Sequence, residues 1–251
     1  MSGEFRKVFD KSINDFKSNF PGFVKLGLLV YFIPVLIVGF VPLLVKNISS
    51  IVVSSLFINI VVMIASLFYM TFMIKTLNKD KGNLLSFSWK KLPSVILFNV
   101  VYTLLLFVLL LGLIVPAIIF GVFWVFGLVI FILSEKKGIM DSLKESKGLV
   151  QGRWWKTVGY FLLFGLIIML FYFAVMIVLY SIGGILGKGI GLSILGVVFD
   201  SFASLVMTMV SAIFTFNLYQ HYKSKYSKKE SPKKVLAVKK TPVAKKVAKK
   251  K

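Results

Sequence analysis

The stretch "LPSVILFNVVYTLLLFVLLLGLIVPAIIFGVFWVFGLVIFILS", Leu92 to Ser134, contains no charged residue. As one helix it would run about 64 Å at 1.5 Å per residue, twice the ~30 Å hydrocarbon core of a bilayer. It therefore predicts two membrane-crossing helices joined by a turn. Gly112 and Pro116 mark that turn, because proline removes a backbone donor and is tolerated best where a helix can end.

The same length criterion draws four further spans outside this run. Leu26 to Val45 and Ile51 to Ile74 are separated by "KNISS", and Thr157 to Ile182 and Leu192 to Leu218 by a glycine-rich link. The composition agrees: 58% hydrophobic residues and a mean hydropathy of +0.89 exceed what a soluble fold carries. The expected fold class is all-α, a polytopic membrane protein with six transmembrane helices and amphipathic interfacial helices.

Charge placement orders the threading, because Lys and Arg near span ends are retained on the cytoplasmic side. The five links hold 1, 5, 0, 6 and 1 of them in turn, with 5 before the first span and 13 after the sixth. That alternation predicts a bacterial-type plasma membrane protein with both termini in the cytoplasm. The first 23 residues carry charges of both signs instead of an apolar core, which does not match a cleavable signal peptide.

Two charged segments have helical periodicity. In residues 1–23, Phe5, Phe9, Ile13, Phe16 and Phe20 share one face, and Lys7, Lys11, Asn14 and Lys17 share the other. In residues 138–152, Ile139, Leu143, Ser146 and Val150 oppose Asp141, Lys144, Glu145 and Gly148. Both are expected to lie in the interface plane. Trp89, Arg153, Trp154, Trp155 and Lys156 are the expected anchors at head-group level. The three pieces are then an interfacial helix at 1–23, a membrane domain at 24–222 and a tail at 223–251.

Lys25, Lys91 and Lys156 each close an aromatic-containing triplet, at intervals of 66 and 65 residues. A threefold internal repeat gives such a period. So does the bare length of a two-span hairpin with its links.

The catalytic inventory is thin. There is no cysteine and a single histidine, His221, so thiol chemistry and multi-histidine metal sites are excluded. No nucleophile–base set assembles on one side of the membrane, and the expectation is a non-enzymatic protein without cofactor. "GGILGKGIG" departs from a phosphate loop, with Ile182 where the first glycine belongs and Gly189 where the hydroxyl belongs. Its glycines suit a flexible link or close helix packing.

The sixth span carries the lone intramembrane charge, Asp200, beside Ser201, Ser204, Thr208, Ser211 and Thr215 on one helix face. Two accounts remain open: close packing through small hydroxyl residues, and a polar path or cavity built around an ionisable group. Proton-coupled transport would need Asp200 paired or hydrated, whereas a membrane-organising module tolerates Asp200→Asn. Asn59, Asn99 and Thr103 could hydrogen-bond between spans.

The tail carries lysine pairs, among them Lys233 with Lys234, Lys239 with Lys240, and Lys245 with Lys246. Pro232 and Pro242 interrupt it, and disorder is expected. Its composition resembles the lysine-alanine-proline tails of linker histones and of some bacterial DNA-compacting proteins. The lipid bilayer and its anionic lipids are the nearest partners. Nucleic acid or the ribosome is the sharper alternative, and a second copy or another membrane protein is a further class of partner.

The run "GIMDSLKESKGLVQGRWWKTVGYFLLFGLI" is similar to the membrane domain fused to some bacterial glycerophosphodiester phosphodiesterases, and to a wider group of six-span bacterial membrane proteins. The matching residues are Ser146, Leu149, Gly152, Trp154, Trp155 and Gly159. In those fusions the phosphodiesterase chemistry resides in a separate barrel domain that has no counterpart in this sequence. The resemblance thus implies an architecture, and its expected role is a membrane-organising or partner-binding module with a polybasic tail. A small-solute or lipid transporter is the alternative.

Overall fold

The computed structural model describes residues 2–41, 48–80, 82–186 and 190–238. Among these, helices α1 (Ser2–Gly27), α2 (Ile33–Gly39), α3 (Ile48–Leu77), α4 (Leu84–Gly112), α5 (Ile114–Phe123), α6 (Gly127–Leu133), α7 (Ile139–Val150), α8 (Trp154–Leu186) and α9 (Ile190–Val238) follow one another without a strand. Six segments are long and apolar enough to cross a membrane: Gly3–Gly39, Ser55–Leu77, Leu84–Gly112, Ile114–Leu133, Trp154–Val175 and Leu195–Lys225. The all-α, six-span expectation holds.

The first span is one rod that includes the N-terminal amphipathic stretch. Between α1 and α2 the chain makes a π turn, Leu28–Phe32, in which Ile33 N–H donates to Leu28 O. Pro34 explains it, since a proline offers no N–H to Val30 and its ring crowds that carbonyl. A widened turn relieves both and lets the rod continue.

The long uncharged run folds as two helices. A single extended residue, Leu113, joins α4 to α5, and its N–H still reaches Leu109 O at 3.0 Å. Gly112 ends α4 as expected, whereas Pro116 falls in the first turn of α5, where its missing N–H has no partner to lose. The tip is apolar and open, with Leu111, Leu113, Ile114 and Val115 all exposed. Toward the tail, α9 continues through Pro232 to Val238. Residues 239–251 lie outside the described part, as does 187–189 of the glycine-rich link.

Buried side chains form two clusters along α9. One gathers Phe98, Phe126, Ile130, Leu143, Tyr219 and Tyr222 from α4, the turn before α6, α6, α7 and α9. The other gathers Phe23, Tyr31, Tyr69, Met73, Leu205 and Met209 from α1, the π turn, α3 and α9. Tyr69 donates to Phe23 O at 2.8 Å, and the hydroxyls of Tyr31 and Ser204 lie 2.7 Å apart. These bonds tie the first, second and sixth spans together at the places where apolar burial alone would allow them to slide.

The charged segments meet at one end of the bundle. Gln220 donates to Asn78 at 3.5 Å, Lys91 to Ser134 O at 3.3 Å, and Glu4 faces both Lys225 and Lys156. Both termini of the membrane domain and the second and fourth links therefore share a side, the arrangement that the alternating cation count predicts.

Candidate functional site

Helix α7 packs one face against the fourth span. Ser142, Leu143, Ser146, Leu149 and Val150 are all buried. The reason is a break in that span. Residues Trp124 to Phe126 leave the helix between α5 and α6, which frees backbone groups that hydrocarbon cannot satisfy. Ser146 Oγ fills the gap: it donates to Phe123 O at 2.7 Å and accepts from Phe126 N at 3.1 Å. Trp154 Nε1 adds a bond to Ile119 O at 3.2 Å. Gly152, at φ +79°, occupies the left-handed position that ends α7 and turns the chain into α8. Four residues of the motif thus have structural work, with Leu149 the buried fourth beside Ser146, Gly152 and Trp154.

The remaining expected anchors sit at the same end. Trp155 is exposed and stands edge-on to Trp154, with ring centroids 4.7 Å apart. Trp89 is exposed and packs on Phe68 at 4.9 Å. The Arg153 guanidinium lies 5.3 Å from the centre of the Tyr222 ring, and Lys156 Nζ is 3.9 Å from Glu4.

Glu4 is the centre of a charged joint that the sequence pattern did not single out. Its carboxylate accepts from Lys225 and from Tyr160 Oη, the latter at 3.1 Å, with Lys156 beside it. About two turns on, Asn217 donates to Ser12 Oγ at 3.2 Å and to Asp15 Oδ2 at 2.9 Å. The N-terminal helix is thereby fastened to the start of α8 and to the end of the sixth span. Glu4→Gln is expected to cost about 1 kcal/mol, read as a roughly fivefold rise in amide exchange over residues 2–8 that shrinks in high salt.

The polar stripe of the sixth span does not converge on a cavity. Ser201 is buried and donates to Val197 O at 2.8 Å, Thr208 donates to Ser204 O at 2.8 Å, and Ser204 meets Tyr31. Ser211 and Asp200 are exposed and Thr215 is half-buried. The stripe therefore runs along the border between the packed and the open face of α9. Asn99 donates to Met63 Sδ at 3.4 Å, Asn59 donates to its own helix at Ser55 O, and Thr103 is exposed. Lys233 and Lys234 fall within the helical run of α9, whereas Lys239, Lys240, Lys245 and Lys246 lie outside the described residues.

Two concavities accompany these features. A polar cleft of about 510 Å³ at the charged end is lined by Lys75, Asn78, Asp80, Asn83 and Glu135. Lys75 is matched within it, 2.8 Å from Asp80 and 4.2 Å from the centre of the Phe87 ring. The second is a groove of about 390 Å³ between α8 and α9, closed on a third side by Phe9, Ile13 and Phe16 of α1. Its surface is carbon. Ser12 touches it, but that hydroxyl is committed to Val8 O at 2.8 Å and to Asn217. Among the described residues no group of three or more His, Asp or Glu could hold a metal ion.

No protein-family model matches the chain, and neither a curated protein nor a solved structure is significantly similar to it.

Proposed function

We propose that this multi-pass protein is a non-catalytic module of a bacterial-type plasma membrane that gathers anionic lipid on its cytoplasmic face. The supporting observation is the layout of charge. The two ends of the chain and the second and fourth links hold 29 of the 31 Lys and Arg, counted from 5, 5, 6 and 13, and the described parts of those segments meet at one end of the bundle. Each lysine held near an anionic surface contributes about 1 kcal/mol, and over a screening length of about 8 Å the cations of this end act together. The tail extends the same field.

Transport along the sixth span draws no comparable support, because Ser201 and Thr208 spend their hydroxyls on their own helix and Ser204 meets Tyr31. The test places the full chain, and a chain ending at Ser224, in nanodiscs of mixed phosphatidylglycerol and phosphatidylcholine. The expected result is phosphatidylglycerol enriched several-fold around the protein, reduced by salt and reduced further by truncation. Equal retention of both lipids overturns the proposal. So does tail-dependent binding of DNA or ribosomes that persists beside anionic lipid, which would make the protein a tether for nucleic acid.

A further inference from the structure

We propose that the groove between α8, α9 and the N-terminal part of α1 binds one acyl chain of an anionic phospholipid, whose head group rests beside the lysines of α1. The proposal rests on the anionic-lipid function above and supplies its specific site.

The groove's dimensions admit the occupant. It runs between two aromatic contacts of α8 with α9, Phe164 on Phe214 at 4.1 Å and Tyr172 on Phe199 at 6.4 Å. Those contacts are about 12 Å apart along α8 and about 22 Å apart along α9. That brackets the ~15 Å depth of one leaflet's hydrocarbon. With about 390 Å³ accessible along ~15 Å, the groove has room for a line of methylene groups laid along its length.

The lining has the matching chemistry. Ile167 and Phe171 of α8 and Val206 and Val210 of α9 line it, and the surface they expose to it is carbon. Water would be held there without partners, whereas a methylene chain loses nothing on entry.

Helix α1 supplies the polar end. Phe9, Ile13 and Phe16 close the groove, while Lys7, Lys11 and Lys17 lie exposed on the other side of the same helix. The acids of α1 are engaged elsewhere: Glu4 with Lys225 and Lys156, Asp10 with Arg6 at 3.6 Å, and Asp15 with Asn217. A chain lying in the groove thus has its phosphate at the helix whose outward face is cationic, and the charges are complementary.

The test uses nanodiscs containing phosphatidylglycerol or phosphatidylcholine with a diazirine on the acyl chain, with adducts mapped by peptide mass spectrometry. The expected result is labelling of residues 164–175 and 199–213 about fivefold above the equally lipid-accessible 104–111 segment, and stronger from phosphatidylglycerol. Ala203→Phe, which fills the groove from α9, is expected to cut the groove adducts about fivefold and leave those at 104–111 unchanged. Should that variant fail to assemble, Ile13→Trp, from the opposite wall, carries the same expectation. Adducts spread evenly over the exposed apolar surface, or unmoved by either substitution, overturn the site while leaving bulk enrichment of phosphatidylglycerol intact. Equal groove labelling from both head groups overturns the anionic selectivity and leaves a site for the chain alone.

Discussion

Gly27→Val is expected to lower the stability of the bundle by about 3 kcal/mol or more, measured by denaturant titration in mild detergent. At Gly27 an added Cβ would lie 2.7 Å from Leu205 Cδ1 and 2.8 Å from Tyr69 Oη, contacts that cannot exist without movement. Neither neighbour has room to move, for Leu205 and Tyr69 are both fully buried. Tyr69 is held besides by its bond to Phe23 O, so the displaced ring also surrenders that bond. Gly165→Ala is the control. Nothing lies within 4 Å of its added carbon, and helix propensity favours alanine there by up to about 1 kcal/mol. Equal effects of the two substitutions would mean that the first, second and sixth spans do not close on Gly27.

The second large effect belongs to Ser146→Val, which replaces one hydroxyl with two methyl groups. Phe126 N–H and Phe123 C=O would then be buried at the break in the fourth span without their partner. An unsatisfied buried group costs about 1–3 kcal/mol, so a combined loss of about 3 kcal/mol is expected. Ser146→Thr keeps the oxygen and should recover most of it. The local readout is amide exchange at Phe126 and Gly127, which rises in the valine variant ahead of global unfolding. If valine is tolerated with unchanged protection at Phe126, the serine is not what holds the break.

The spans were legible because their signal is local. Twenty uncharged residues identify a crossing wherever they occur, and the lysine count then orders the crossings. What the sequence hid is pairing over distance. Glu4 and Lys225 are 221 residues apart, and Ser12 and Asn217 are 205 apart. Nothing in the neighbourhood of either residue announces its partner. In 1–23 the line buried in the protein runs through Val8, Ser12 and Phe23, between the phenylalanines and the lysines.

Ser146 was the readable anomaly. It sat on the apolar face of α7, and a hydroxyl there signals a backbone that needs a partner more than a surface that meets lipid. The polar stripe of α9 misled for a different reason. Its residues follow a period near 3.5 while the helix turns every 3.6, so the row drifts across the edge of the packed face. One end of it, Ser201, is buried and Ser211 is exposed.

The one-residue connection at Leu113 has a consequence for biosynthesis. The link between α4 and α5 has no lysine, acid or polar loop, and its tip side chains are as oily as the helices they join. Most integral hairpins must carry something hydrophilic to the far side, and each charged group at the centre of the bilayer adds about 2.5–3.5 kcal/mol on the way. Here no such cargo exists. The pair can pass from the translocation machinery into lipid sideways, as a single folded unit that never exposes a solvated loop beyond the membrane.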